Sequence, residues 1–139
     1  MAFFLGLVLM YGILWLLSLV GIQALNDHLL RGAYAAGIMF ILIGVAHFAK
    51  PEMIEAYLPK SWPYKRAMNF VSGFFEVAFG IGLFFQATRT YSAWGLLLLL
   101  VAVFPANINM AIIKPNFSNI FRLFFQPVYM FWVYWFCLR

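Results

Sequence analysis

Residues 98–111 read LLLVAVFPANINMA, an apolar run that meets a proline and two asparagines before it ends. Pro105 cannot donate a backbone hydrogen bond, and its ring clashes with the carbonyl of Val101. Inside a membrane, freed backbone groups and amide side chains are tolerated only where protein or a wet cavity satisfies them. We therefore expect a helix break or kink at Pro105. One of Asn107 and Asn109 would face a helix bundle and the other would satisfy the broken turn, and the sequence leaves open which does which.

The composition of the whole chain supports a membrane environment for this run. Of 139 residues, 66% are hydrophobic, 21% are aromatic and only 9% are charged. Soluble domains carry roughly 25% charged residues. We therefore predict an all-α, polytopic transmembrane helix bundle whose main partner is the lipid bilayer. The net charge of +5 is dispersed along the chain, so nucleic acid is not predicted as a partner.

Five apolar segments are long enough to approach the roughly 20 residues that cross a bilayer. The segment at the N-terminus has no Lys or Arg before Arg31, so we interpret it as a retained helix and not as a signal peptide. The connection 50–66 alternates apolar and charged residues and predicts a short interfacial helix from Glu52 to Tyr57. The predicted spans are 2–25, 32–49, 67–87, 92–113 and 119–138.

The basic residues between the spans predict an orientation. Five spans place the N-terminus and the connections 50–66 and 114–118 on one side, and this side has more Lys and Arg than the other. Positively charged connections favour the cytoplasm. We therefore expect a multi-pass protein of the inner (cytoplasmic) membrane with its N-terminus in the cytoplasm and its C-terminus outside. The two sets are Lys50, Lys60, Lys65, Arg66 and Lys114 against Arg31, Arg89 and Arg139.

Few polar residues lie within the spans, and they fall in one half of the membrane. With a rise of about 1.5 Å per residue, they lie roughly 5 to 14 Å below the same surface. Charged groups at such depth face the bundle interior and pair with one another. The predicted polar core and ligand-binding set is His47, Glu76, Asn107, Asn109, Arg122 and Gln126.

Glu76 and Arg122 form the predicted ion pair of this core, with His47 as a further partner. Two alternatives remain open from the sequence. His47 could hydrogen-bond a loop backbone, and Arg122 could extend to the headgroups. A Glu76–Arg122 pair could also be purely architectural.

Four segments taken together resemble the DoxX-like family of small membrane proteins. They combine a histidine before a proline-bearing loop, a small-Gly-x-x-Glu helix, a Pro-x-Asn helix and an Arg-x-x-x-Gln helix. The segments are GVAHFAKPEMIEAYLP (44–59), SGFFEVAFGIGLF (72–84), LLLVAVFPANINMA (98–111) and RLFFQPVYMFWVY (122–134).

The resemblance implies a four-helix core over residues 32–139, with residues 1–31 as an additional N-terminal transmembrane helix. Some members of that family are subunits of a thiosulfate–quinone oxidoreductase, others associate with superoxide- and thiol-handling proteins, and a distant animal relative assists the assembly of acetylcholine receptors. The family's polar core would correspond here to His47, Glu76, Asn107, Arg122 and Gln126.

The expected function is that of a membrane subunit accessory to a quinone-linked or thiol/sulfur redox system. Glu76 and His47 are the candidate catalytic residues for proton movement, and His47 or Gln126 could hydrogen-bond a quinone carbonyl. Quinone is the one candidate cofactor. His28 and His47 lie at opposite membrane faces and Cys137 is the single cysteine, so neither a bis-histidine haem nor an iron–sulfur cluster is predicted, nor any other metal site.

Two other functions fit the sequence. The first is a non-catalytic structural or assembly subunit of a larger membrane complex, which suits short loops and no soluble domain. The second is a small-solute transporter. Transporters commonly have paired broken helices, and this sequence offers a single break at Pro105.

Overall fold

The computed structural model describes residues 2–56 and 58–139. These residues form helices joined by short turns, with no strand among them. The predicted all-α class is therefore confirmed for the described residues. The helices are α1 (Ala2–Leu19), α2 (His28–Ala49), α3 (Pro51–Glu55), α4 (Lys65–Gly82), α5 (Gln86–Ile113) and α6 (Phe117–Val133), with a 3-10 turn at Gln23–Leu25 and a π-helical turn at Tyr134–Leu138.

Three of these helices, α1, α2 and α5, are long and apolar enough to cross a membrane. The other two long helices, α4 and α6, do not reach this length and apolar content, for reasons visible in the sequence. Helix α4 carries Lys65, Arg66 and Glu76 within its 18 residues. Helix α6 is regular for only 17 residues before the π-helical turn. The arrangement with five spans therefore stays a prediction.

The first connection differs from the prediction at both ends. Helix α1 ends at Leu19 and not at residue 25, because Gly21 adopts a φ of +102°, a conformation that L side chains rarely adopt. Helix α2 begins at His28 and not at residue 32, because the side chain of Asp27 accepts a 2.8 Å hydrogen bond from the amide of Leu29. The predicted domain boundary after residue 31 thus falls in the first turn of α2.

The short helix predicted for Glu52–Tyr57 is present as α3, from Pro51 to Glu55, and its interfacial position stays a prediction. Tyr57 lies outside the described residues. Pro51 occupies the first helical position, where its missing N–H has no intrahelical partner to lose. The helix is held to the start of α4 by an ion pair of 3.1 Å between Glu55 and Arg66.

Helices α2 and α4 make the most extensive contact of the fold, and glycines allow it. A Cβ built on Gly44 would lie 2.8 Å from the carbonyl oxygen of Gly73, and a Cβ on Gly37 would lie 2.8 Å from that of Gly80. Small residues at a helix interface let the backbones of two membrane helices approach each other closely. The α2–α4 interface, defined by these two glycine pairs, places the polar side chains of both helices directly opposite one another.

The remaining helices enclose this interface. Trp132 of α6 donates from Nε1 to the carbonyl oxygen of Gly32 in α2 at 3.0 Å. Helix α1 packs on α2 through the fully buried Leu7, which belongs to the same apolar core as Leu96 of α5 and Val133 of α6. Much of the outer surface of α1 is apolar and exposed, as expected of a helix that faces lipid or another protein.

Helix α5 continues through Pro105 as one helix from Gln86 to Ile113. The helix is therefore not interrupted at Pro105, and the kink expected there stays a prediction. A proline removes one helical hydrogen bond, here the bond to the carbonyl oxygen of Val101. One residue earlier, the carbonyl oxygen of Leu100 accepts a hydrogen bond from Nε2 of Gln126 in α6, so α6 contacts the backbone of α5 next to this position.

Candidate functional site

The candidate site is the pair formed by His47 of α2 and Glu76 of α4. Nε2 of His47 lies 3.2 Å from Oε2 of Glu76. His47 is 6% exposed and Glu76 is 8% exposed, so both groups are withdrawn from the surface. The 3.2 Å separation is an ion-pair distance, although the geometry is not that of a hydrogen bond. An acid and a base therefore face each other inside the helix bundle.

The surroundings of His47 define where its protons can lie. Nδ1 of the imidazole lies 2.9 Å from the backbone carbonyl oxygen of Asn69. A carbonyl oxygen only accepts hydrogen bonds, so Nδ1 carries a hydrogen. The pair has no net charge when Nε2 lacks a hydrogen and Glu76 is protonated, or when Nε2 carries a hydrogen and Glu76 is a carboxylate.

Asn69 fixes the histidine from both sides. While its carbonyl oxygen accepts from the imidazole, its side-chain Nδ2 donates to the carbonyl oxygen of His47 at 2.9 Å. Asn69 is 2% exposed. Gly73, one turn further along α4, leaves the space that the Cβ of His47 occupies. These contacts hold the imidazole in one orientation against Glu76.

Three side-chain oxygens along this part of α4 are buried without a hydrogen-bond partner among the described residues. They are Oδ1 of Asn69, Oγ of Ser72 and Oε2 of Glu76. Residues three and four apart lie on one side of a helix, so the three groups follow the axis of α4 in steps of about one turn. Buried polar atoms are rarely left unpaired, and ordered water commonly satisfies them.

A second polar pair joins α5 to α6. Asn107 donates from Nδ2 to Oε1 of Gln126 at 2.6 Å, and Gln126 in turn donates to the carbonyl oxygen of Leu100. Gln126 is 1% exposed. Asn107 therefore faces α6. Because the oxygen and nitrogen of the Gln126 amide are both engaged, this residue holds two helices together, and its predicted bond to a quinone carbonyl would have to replace one of these contacts.

The basic side chain placed against Glu76 is that of His47, whose Nε2 lies within ion-pair distance of the carboxyl group. The glycines of α4 turn the face of Glu76 toward α2. The Glu76–Arg122 pair stays a prediction. Arg122 and Asn109 are half-buried, and each takes part in an interaction of its own.

The predicted single polar layer therefore contains two distinct pairs. His47 and Glu76 meet between α2 and α4, and Asn107 and Gln126 meet between α5 and α6. No hydrogen bond or ion pair between described side chains connects one pair directly to the other. Asn69 was missed as a site residue, although its position four residues before Gly73 places it on the helix face that also carries Glu76.

An apolar cleft lies next to the α5–α6 pair. It has a volume of about 240 Å³ and lies between the two helices near their prolines. Gln126 contributes to its wall, and its other lining residues are apolar. They are Leu100, Val101, Phe104, Pro127 and Met130.

These features define a helical membrane protein with a buried acid–base pair at a glycine-lined helix interface. The chain belongs to the family described as Domain of unknown function (DUF8561), whose model matches residues 36–137. The matched residues include both polar pairs and Asn69. No curated protein and no solved structure matches the chain.

Proposed function

We propose that this protein is an integral membrane subunit accessory to a quinone-linked or thiol/sulfur redox system, in which the His47–Glu76 pair accepts and releases a proton. The observation that carries the proposal is the 3.2 Å contact between two buried titratable groups of opposite type. Intramembrane ionisable residues commonly mark proton pathways. The proposal includes five spans with a DoxX-like core and an inner-membrane location with the N-terminus in the cytoplasm.

The pair is suited to proton exchange because its resting state has no net charge and therefore costs little free energy to bury. In either of its two neutral forms the pair carries no net charge, whereas adding or removing a proton leaves a net charge in an apolar surrounding. Charged groups deep in a bilayer cost about 2.5–3.5 kcal/mol on insertion scales. This cost favours the return of the pair to a neutral form after each proton that it accepts or releases.

The unpartnered oxygens of α4 supply a route to the pair. Asn69 and Ser72 lie between Glu76 and Lys65, at which α4 begins next to the 50–66 connection. Water molecules that bridge Oδ1 of Asn69, Oγ of Ser72 and Oε2 of Glu76 would form a hydrogen-bonded line along one side of the helix. Protons would then enter from the end of the bundle that carries Lys65 and Arg66.

The proposed redox partner is an oxidoreductase that reduces a quinone. Reduction of a quinone to a quinol consumes two electrons and two protons. A partner oxidoreductase supplies the electrons, and the His47–Glu76 pair delivers protons one at a time from the aqueous side. The apolar cleft between α5 and α6 has walls that suit the isoprenoid tail of a quinone, since such ligand sites are mostly apolar with few polar groups.

The test is proton uptake by the protein in nanodiscs that contain a quinone. After rapid chemical reduction of the quinone, a pH indicator in unbuffered solution follows the protons taken up. We expect wild-type protein to speed uptake relative to empty nanodiscs, and Glu76→Gln and His47→Gln to abolish the increase while helix content stays unchanged.

Matched controls separate this role from general effects of charge. Glu55→Gln removes a carboxylate that pairs with an exposed arginine, and His28→Gln removes an exposed imidazole. Both should behave as wild type. Equal uptake rates in wild-type, Glu76→Gln and empty nanodiscs would exclude the proton role.

A second function, that of a non-catalytic structural or assembly subunit, is favoured by one specific observation. Only 11% of the α1 span is buried, against 44% of the α2 span. A large exposed apolar face suits contact with another membrane protein as well as with lipid. Co-purification of a fixed partner with wild-type protein and with Glu76→Gln alike, without any bound quinone, would support this second function over the first.

A further inference from the structure

A cavity of about 250 Å³ opens at the other end of the bundle, where α2 and α5 begin. It is formed by the start of α2, the start of α5 and the residues after Val133. Apolar side chains and two guanidinium groups line it together. The residues that carry the argument are Leu29, Leu30, Arg89, Leu138 and Arg139, with Asp27 at the side.

The two arginines are held in place by aromatic rings. The guanidinium of Arg139 lies 4.0 Å from the centroid of the Trp135 ring. The guanidinium of Arg89 lies 5.9 Å from the Tyr34 ring, and its Nε donates to the carbonyl oxygen of Leu83 at 3.0 Å. Both charges are thereby positioned before any ligand arrives, which reduces the entropy lost on binding.

Neither guanidinium is paired with a side-chain carboxylate. Among the described residues, no Asp or Glu lies within ion-pair distance of Arg89 or Arg139. The acidic side chain at the cavity, Asp27, already accepts the amide of Leu29 and lies 3.9 Å from His28. The side chains that line the cavity therefore carry an excess of positive charge.

We propose that this cavity binds the phosphate of an anionic phospholipid. Arginine recognises phosphate through charge-assisted and often bidentate hydrogen bonds. The apolar wall of Leu29, Leu30 and Leu138 lies beside the charged groups, as the start of an acyl chain lies beside its headgroup. A free phosphate would share the charge chemistry but would leave this wall without a partner. The proposal is independent of the proton role of His47 and Glu76.

The test compares ligands by native mass spectrometry of the protein released from detergent micelles. The probes are phosphatidylglycerol, phosphatidylcholine and inorganic phosphate, each added at the same concentration. We expect wild-type protein to retain phosphatidylglycerol in preference to the other two. Arg89→Gln and Arg139→Gln should each weaken retention by about tenfold, the effect of losing one charge-assisted hydrogen bond.

Arg66→Gln is the matched control, because it removes an exposed guanidinium at the opposite end of the bundle. It should retain phosphatidylglycerol like wild type. Arg89 also bonds a backbone carbonyl, so Arg139→Gln, which removes no such bond in the described structure, decides the outcome if Arg89→Gln loses helix content. Equal retention by wild type, Arg139→Gln and Arg66→Gln would overturn the proposal. So would inorganic phosphate displacing phosphatidylglycerol, which would assign the site to a free anion.

Discussion

Nε2 of His47 and Oε2 of Glu76 lie 3.2 Å apart on two helices whose backbones are in close contact at their glycines. The residues are far apart in sequence and meet because Gly44 and Gly73 allow α2 and α4 to approach closely one turn before them. The polar contact and the close packing thus depend on each other, and the first two predictions separate them.

Gly73→Ala tests the packing. An added Cβ would contact the Cβ of His47 and lie 2.9 Å from the carbonyl oxygen of Gly44. We expect the free energy of unfolding to fall by about 1–3 kcal/mol, as for other overpacked cores. Unfolding in detergent followed by circular dichroism measures it. Gly12→Ala is the control, because nothing lies within 4 Å of its Cβ position, and it should leave stability unchanged or raise it.

A double-mutant cycle on His47 and Glu76 tests the pair itself. Replacing one partner of a buried pair leaves an uncompensated polar group and typically costs about 3–5 kcal/mol. We therefore expect His47→Leu and Glu76→Leu each to destabilise strongly, and the double variant to be more stable than the sum of the two effects implies. The exposed Glu55–Arg66 pair provides the comparison, and Glu55→Gln should cost less than about 1 kcal/mol. Additive effects at His47 and Glu76 would contradict the pairing.

Gln126→Leu tests the bridge between α5 and α6. The change removes the hydrogen bonds of Gln126 to the amide of Asn107 and to the carbonyl oxygen of Leu100, and leaving the Asn107 amide unsatisfied costs about 1–3 kcal/mol. Thermal unfolding should show a clear loss of stability. Gln23→Leu, at an exposed position, serves as the control. Unchanged stability in Gln126→Leu would show that these hydrogen bonds do not stabilise the contact between α5 and α6.

Trp132→Phe tests the tie between α6 and α2. It keeps an aromatic ring but removes the donor to the carbonyl oxygen of Gly32, and a neutral hydrogen bond contributes about 0.5–1.5 kcal/mol. We expect a loss in that range in chemical unfolding. Trp94→Phe, at a side chain 55% exposed, should have no measurable effect.

The sequence predicted the helical class and the polar face of α4 because both depend on local patterns. Gly73, Glu76 and Gly80 lie at helical spacing, so their common face could be read directly. The partner of Glu76 could not be predicted from the sequence, since His47 and Arg122 were both candidate cations. The choice depends on which helix comes closest, and this is a property of the packed bundle.

The same limit explains the other differences. The sequence left open whether Asn107 or Asn109 faces the bundle, and the way α5 lies against α6 turns Asn107 toward α6. The end of α1 at Leu19 depends on the backbone conformation of a single residue, Gly21. A count of apolar residues does not reveal this end, because residues 20–25 continue the apolar run with Gln23 as their one amide residue.

The glycines of the α2–α4 interface recur two turns apart in both helices, at Gly37 and Gly44 and at Gly73 and Gly80. Sliding one helix past the other by two turns would still bring one glycine of α2 opposite one glycine of α4. In the alignment that sets Gly37 opposite Gly73, His47 would lie far from Glu76 along the helix axes. The acid–base pair therefore disfavours this alternative alignment, so that a residue pair suited to proton exchange also helps to determine how the bundle assembles.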